Sequence, residues 1–372
     1  ATLVGAGAMA GLAVAHLHAA GAAVLSTRNT GQTRSEAKAA ARGAQDNGNS
    51  ASQQGSQAQG AGNTAASNNG ARGASGSTPQ ASTGEGTVNV AAAVAIHHLG
   101  AASTARVGDG AAVTTGGALS LRNQTDLDAA ADASGLASKG STNVGAAVAI
   151  NVAEVASSAR VGAATVSSQG LSLGATTVAD GRNSASAQAV SGAATGDTGV
   201  AGSLAIGVGI SKFEASLAPT AVVNAHAGAV ALDAASTTAD TVQALPDGGG
   251  AVAENTGVGA SVAINVADHL SRAEIENGAT LSVAGATTLA ATTDSAIVST
   301  AEGGAKGGTA VAPVVAVTVA NQDAQARIGS GSLVHATGAI GVQAGLASTN
   351  TTKAEGKAEG SKDAAVGAAV AH

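Results

Sequence analysis

The sequence predicts an all-β fold, a parallel β-solenoid built from repeats of about 55 residues. The segment Val144–Asn151, with the sequence VGAAVAIN, recurs at Val258–Asn265 as VGASVAIN. Weaker copies are found at Val90–His97, Val200–Gly207, Val311–Thr318 and Val366–His372. Apolar residues alternate with small or polar ones inside each copy, as in a β-strand. A fixed long period of this kind is typical of an array in which each unit packs on its neighbours.

The period is regular enough to divide the chain. The steps between the equivalent residues are 54, 56, 58, 53 and 55, from Ile96 through Ile150, Ile206, Ile264 and Val317 to His372. We predict a degenerate partial repeat at residues 1–42, a low-complexity flexible insertion at 43–86, and a five-repeat array at 87–372 that ends inside a sixth copy. Because the chain starts and stops within a repeat, we expect it to be a piece of a longer protein.

Composition favours a thin core and excludes several classes of function. The chain has 53 Gly, one Phe, one Met and no Trp, Tyr or Cys, so the core must be built from Val, Ile, Leu and Ala. A net charge of −7 and the lack of a basic run argue against nucleic acid as a partner. The stretch 1–25 is the most apolar candidate for a membrane span, but His16 and His18 interrupt it.

Residues 43–86 consist mainly of Gly, Ser, Gln, Asn and Ala and show no apolar periodicity. Such a segment gains too little from burial to offset the entropy of ordering. We predict that it is flexible and dispensable, and that limited proteolysis cuts there first.

Each repeat opens with a predicted strand in which Val148, Ile150 and Val152 alternate with smaller residues. Side chains two residues apart lie on one face of a strand, and we expect this apolar face to point into the core. The same interpretation places Ile264 inside and Ala263 on the opposite face.

The next apolar position lies eleven residues beyond the key isoleucine, as from Ile150 to Val161. The same spacing separates Ile96 from Val107, Ile206 from Leu217, Ile264 from Ile275 and Val317 from Ile328. Because eleven is odd, two residues that both face the core would require a slip in the alternation. We therefore predict a bulge or corner between them.

Two further strands follow in each repeat. The short second strand is predicted at 112–113, 165–166, 222–223, 281–283 and 333–334, and the third begins near 117, 170, 228 and 338. Most of the length variation falls between the third strand and the next repeat, as expected for exposed loops. The sequence leaves open whether a repeat forms one large rung, two small rungs, or a rung with a hairpin.

Stacking would align equivalent residues as columns. The position after the key isoleucine holds His97, Asn151, Gly207, Asn265 and Thr318. We expect this column on a solvated strand face; the alternative is buried Asn hydrogen-bonding along the axis. A second column holds Arg106, Arg160, Ser216, Glu274 and Arg327, in which Arg327 and Glu274 are expected to form an exposed ion pair.

A third column holds Thr125, Thr177, Ser236, Thr293 and Leu346, which leaves ice binding as an alternative. The sequence offers no catalytic, cofactor-binding or metal-binding residues. His97-His98 and the pair His16 and His18 have a metal-like spacing, but no carboxylate or third histidine accompanies them. Nucleophile-elbow, zinc-protease and phosphate-loop motifs are also missing. We therefore expect a protein that is not an enzyme and needs no cofactor.

The motifs V-A-x-x-V-A-[IV]-N, A-R-[VI]-G-x-G and G-A-L-x-L make residues 87–372 similar to repeats of large secreted bacterial adhesins. The families are the filamentous-haemagglutinin-like and leukotoxin-type filamentous adhesins. The resemblance implies a right-handed β-solenoid passenger outside the cell, exported by an autotransporter or two-partner route.

The expected function is that of a non-enzymatic structural or adhesive segment of a large bacterial surface protein, an elongated rigid stalk or a presentation scaffold. Expected partners are a host or neighbouring-cell surface or matrix component and further repeats of the same polypeptide, with possible end-to-end self-association. The alternatives are a β-helix that binds or degrades polysaccharide and a solenoid that binds ice or another surface.

Overall fold

The computed structural model describes residues 1–13, 16–42 and 88–372, and it confirms the predicted all-β parallel solenoid. These residues form strands and turns and contain no helix. The strands are β1 (Thr2–Leu12), β2 (His16–Ala19), β3 (Ala23–Arg42), β4 (Val88–Val107), β5 (Ala112–Thr115), β6 (Leu119–Ser138), β7 (Thr142–Val161), β8 (Thr165–Ser167), β9 (Leu171–Thr177), β10 (Asn183–Ala194), β11 (Thr198–Leu217), β12 (Val222–Asn224), β13 (Val230–Val252), β14 (Thr256–Ile275), β15 (Thr280–Val283), β16 (Thr287–Ile328), β17 (Leu333–Ala336) and β18 (Ile340–Ala371).

Each repeat is a single rung made of a long first strand, a short second strand and a long third strand. The first strands stack in the order β1-β4-β7-β11-β14-β16, and the short strands in the order β2-β5-β8-β12-β15-β17. The third strands stack in the order β3-β6-β10-β13-β16, with β9 between β6 and β13 and with β18 on β16. β16 continues from a third strand into the next first strand, which is why it is 42 residues long.

The register of the ladders confirms the alignment that the sequence predicts. Ile150 pairs with Ile96 on one side and Ile206 on the other, and Ile264 pairs with Ile206 and Val317. The short strands lie where they were predicted, as β5, β8, β12, β15 and β17. Residues 1–42 supply β1, β2 and β3, which pair with β4, β5 and β6. The predicted insertion at 43–86 lies outside the described residues.

The predicted orientation of the first strand is wrong. Ala149 and Ala263 are fully buried, whereas Ile150 and Ile264 are part-exposed on the outer side. The reason is the narrow gap between the first and third strands. Alanines from both fill it: Ala95, Ala149, Ala205, Ala263 and Ala316 face Ala133, Ala189, Ala244 and Ala301. A β-branched side chain fits this space only opposite a glycine, as Val242 does at Gly207 and Val314 does at Gly303. The other valines and isoleucines in this part of the first strands lie outside.

The predicted bulge is also absent from these strands. β7 alternates without interruption from Thr142 to Val161, and its register with β11 is continuous over all 20 residues. Ile150 therefore lies outside and Val161 lies inside. The odd spacing of eleven reflects apolar residues on two different faces, and the strand needs no slip to accommodate it.

Most large aliphatic side chains of the core are buried at the end of the rung where all three strands meet. This cluster includes Val107, Val161, Leu217 and Ile275 from first strands, Val113, Val166, Val223 and Leu281 from short strands, and Leu121, Leu173, Leu232 and Leu289 from third strands. Burying a side chain of this size contributes about 1.5–3 kcal/mol. The cross-section therefore narrows from an aliphatic end to an alanine and glycine end.

Substitutions on the two faces of β14 test whether Ala263 or Ile264 faces the interior. We expect Ala263→Asp to destabilise the fold by at least about 3 kcal/mol, because it buries an unpaired carboxylate between two strands. We expect Ile264→Asp to cost about 1 kcal/mol, since that side chain meets solvent. Chemical denaturation of both variants measures the difference, and equal losses would contradict the assigned faces.

Gly259 offers a second test, at the narrow end. Gly259 lies at an inward-facing position of β14, where an added Cβ would overlap the carbonyl oxygen of Gly304. We expect Gly259→Ala to cost about 1–3 kcal/mol through this overlap. Gly202→Ala is the matched control, because an added Cβ there meets nothing within 4 Å and Ala260 already occupies the paired position. A neutral Gly259→Ala would show that the sheets can separate.

Candidate functional site

The column after the key isoleucine lies inside the solenoid, so the predicted solvated face is wrong. His97, Asn151 and Asn265 are fully buried. His97 Nδ1 lies 2.8 Å from Asn151 Oδ1, and Asn151 Nδ2 donates to the carbonyl oxygen of Ala129 at 2.9 Å. Asn265 Nδ2 bonds across the gap to the carbonyl oxygen of Asp240. These side chains therefore join first strands to third strands, and Gly207 interrupts the column as the sequence indicates.

A buried pair of ionisable side chains joins β13 to β14, the first strand of the next repeat. His269 Nε2 is 2.7 Å from Asp240 Oδ2, and both side chains are almost completely enclosed. The absence of a side chain at Gly209 leaves the space that the Asp240 carboxylate occupies. A His–Asp pair is common in catalysis, but a substrate would have to enter the packed interior to reach this one. The arrangement therefore acts as a structural contact between β13 and β14.

The threonine column also faces inward. Thr125, Thr293 and Ser236 are buried, and Thr293 Oγ1 lies 2.9 Å from the carbonyl oxygen of Asp323. A rank of threonines that binds ice has to lie on the surface. This column therefore gives no support to the ice-binding alternative.

The structure separates the members of one histidine pair and leaves the other pair on the surface. His97 and His98 point to opposite sides of β4, and His16 and His18 are exposed on β2. Among residues 1–13, 16–42 and 88–372, no group of three His, Cys, Asp or Glu side chains is positioned to hold a metal ion.

Ion pairs lie along the surface, both between rungs and within one strand. Arg327 binds Glu274 at 2.6 Å, which confirms the predicted pairing, although the Glu274 side chain is only 3% exposed. Arg160 binds Glu276 at 2.8 Å. On the third strands, hydrogen bonds from lysines, Lys357 first, lower the pKa of Glu355 to about 2.

The outer sides of the first and third strands differ in polarity. The predicted orientation did not reveal this difference, because it placed the apolar side of the first strands in the core. The outer side of β6 is polar, with Ser120, Arg122, Gln124, Asp126, Asp128 and Asp132. We call the corresponding side of all third strands the polar face.

The first half of the first strands presents an apolar surface instead, which we call the apolar face. Its members are Val90, Val144, Val200, Val258 and Val311; Val94, Val148, Leu204, Val262 and Val315; Ile96, Ile150, Ile206, Ile264 and Val317; and Val152, Val208, Val266 and Val319. Val94 is 54% exposed and Val319 is 53% exposed. Contiguous apolar surface on this scale marks an interaction site in soluble proteins.

Depressions on the described surface are shallow. One lies beside the apolar face, on small residues such as Gly5, Gly100 and Ala156, and its charged residues are Glu154 and Lys212. A carboxylate and an amine on an open surface lack the enclosure and the third group that acid–base or nucleophilic catalysis requires.

Comparisons with protein-family models, with curated proteins and with solved structures found no match to this chain. The described residues also hold no helix long and apolar enough to cross a membrane.

Acid should destabilise the array through His97. Burial is the main cause that lowers the pKa of this imidazole below its ordinary value. The unfolded chain therefore takes up the proton more readily, so the stability is present above the unfolded pKa of about 6.5 and is lost as the pH falls below it. Protonation would also leave an N–H at Nε2 for which no described residue is a partner.

We expect the melting temperature to fall between pH 7.5 and pH 5, and less steeply in His97→Asn, which carries the residue found at Asn151. Thermal melts across this range measure the two slopes. Identical slopes would show that His97 is not an acid-sensitive group of the fold.

Proposed function

We propose that this chain is a non-enzymatic structural or adhesive segment of a large secreted bacterial surface protein, in which it acts as a presentation scaffold. One observation carries the proposal: each repeat adds one rung in register to the same two broad faces. The similarity to repeats of filamentous adhesins supports a location outside the cell.

The shape of the rung favours presentation over reach. A first strand of 20 residues extends about 65 Å, whereas stacking one more repeat lengthens the axis by only about 4.8 Å. The roughly 55 residues of one repeat would reach about 170 Å as an extended linker. A repeat therefore contributes little length, but it adds roughly 300 Å² to each long face. Of the two roles expected from the sequence, the scaffold suits this geometry better than the stalk.

The proposed partners are a host or neighbouring-cell surface or matrix component and further repeats of the same polypeptide. Among the described strands, β18 pairs with β16 on one side only, and β1 and β3 lie at the opposite end. Unpaired backbone groups on such strands can accept another strand. End-to-end self-association would extend both faces without changing them.

A polysaccharide-active β-helix is the alternative. It would need a groove with free carboxylates, and two of the three carboxylates on the outer side of β6 are already engaged. Asp132 binds Arg34 at 2.8 Å, and Asp128 accepts hydrogen bonds from Gln32 and Ser184. The chain also lacks the Trp and Tyr residues on which sugar rings stack.

Surface display tests the proposal. The full chain, fused to a membrane anchor on a non-adherent bacterium, is expected to increase attachment to host cells or matrix-coated surfaces. Attachment counts are compared with cells that display Ala263→Asp at the same level, in which we expect the array to be destabilised. The same cells are incubated with a panel of polysaccharides, and reducing ends are measured. Release of sugar without a gain in attachment would favour the alternative.

A further inference from the structure

The apolar face is laid out for contact with a flat partner. Its strands keep a continuous register through β4, β7, β11 and β14, so the valine and isoleucine columns run straight along the axis. Side chains on its inner strands, β7, β11 and β14, are part-exposed because the strands on either side shield them, whereas Ile96 on the outermost strand β4 is 41% exposed. The surface offers ridges of β-branched side chains rather than a groove, which is the form that packs against another sheet.

This surface exists because apolar and charged residues occupy separate stretches of the same strands. Beyond the apolar face, the outer side of the same first strands holds charged residues, including Glu154, Lys212 and Asp268. The polar face is charged as well. Within the apolar face the columns contain no Asp, Glu, Lys or Arg, and His98 takes the place of valine in one repeat. A solvated face of this kind is costly unless something covers it.

We propose that the apolar face packs on the same face of a second copy of this chain. The eight steps from Val144 to Val152 and the five rungs give a surface of about 26 Å by about 24 Å, or roughly 600 Å² per copy. Two copies then bury about 1,200 Å², which exceeds the roughly 1,000 Å² expected of a biological interface. Two identical flat faces can meet about a twofold axis with their sheets about 10 Å apart.

Other occupants fit the face less well. Nucleic acid and anionic surfaces require basic residues, which the face lacks. A membrane-contact surface carries aromatic residues with Lys or Arg at its margin, and the chain has a single Phe, which is buried. Residues 43–87 contain no Val, Ile, Leu, Met or aromatic residue, so their composition cannot complement the face. The inference concerns lateral pairing and does not depend on the proposed function.

Sedimentation of the full chain tests the proposal. We expect a closed, concentration-dependent dimer with twice the monomer mass. The double variant Ile150→Lys with Ile264→Lys should remain a monomer at tenfold higher concentration, because four ammonium groups would be brought into an apolar contact. Thr176→Lys with Thr292→Lys is the matched control on the polar face, and it should dimerise like the parent. Thermal melts establish that all three proteins are folded.

Cross-linking gives a second measurement that does not require the lysine variant to fold. The chain has no cysteine, so a single one is a clean probe. Ile206 lies in the middle repeat, close to where a twofold axis would pass. We expect Ile206→Cys to form an interchain disulfide at least tenfold faster than Ala235→Cys, which lies on the polar face of the same repeat.

Four outcomes would overturn the proposal. They are a parent protein that is monomeric at all concentrations, an association that both lysine variants retain, equal cross-linking at Ile206→Cys and Ala235→Cys, and binding of the monomeric parent to phosphatidylcholine vesicles. The second outcome would assign association to the strand edges, and the fourth would assign the face to a membrane.

Discussion

The narrow gap between the first and third strands of each rung is the constraint on which the rest of the structure depends. Alanine from both sides fills this gap, and at positions such as Gly259 even one methyl group is too large. Side chains are therefore sorted by volume as well as by polarity. Along this gap small residues go inside, whereas most valine and isoleucine side chains of the first strands go outside, although they are the more apolar. An apolar face is the direct consequence of an interior too thin to bury it.

A thin interior changes what holds the layers together. Most of the large aliphatic side chains in the core lie at the end where the short strands close the rung. Along the remaining length, alanine contacts bury little area per residue, and polar side chains supplement them. Asn151 donates a hydrogen bond to the backbone of the opposite strand. His269 and Asp240 link a first strand to a third strand through their side chains. Buried polar contacts of this type fix which residues face each other, and they tolerate few alternatives.

The sequence was sufficient to predict the repeat, the order of the strands and the register, since recurrence and spacing alone encode them. It did not reveal which side faces inward, because alternation has the same period on both faces. The missing information is the width of the gap, which depends on the third strand opposite. Two features of the sequence do indicate the inward side. Alanine occupies the column of Ala149 in five repeats, as a narrow interior requires. The odd spacing of eleven also places Ile150 and Val161 on opposite sides of an uninterrupted strand.

The sorting of side chains by volume also determines how the outer faces change as repeats are added. Adding rungs extends both faces along the axis, so the apolar area grows in proportion to the number of repeats while the strand edges stay constant. With roughly 600 Å² for five rungs, a contact near the lower limit for a stable interface becomes stronger with each added copy. Lateral pairing would leave the polar faces outward on both sides of a four-layered body. Repeat number would then set the affinity between copies, with no change in the sequence of any one repeat.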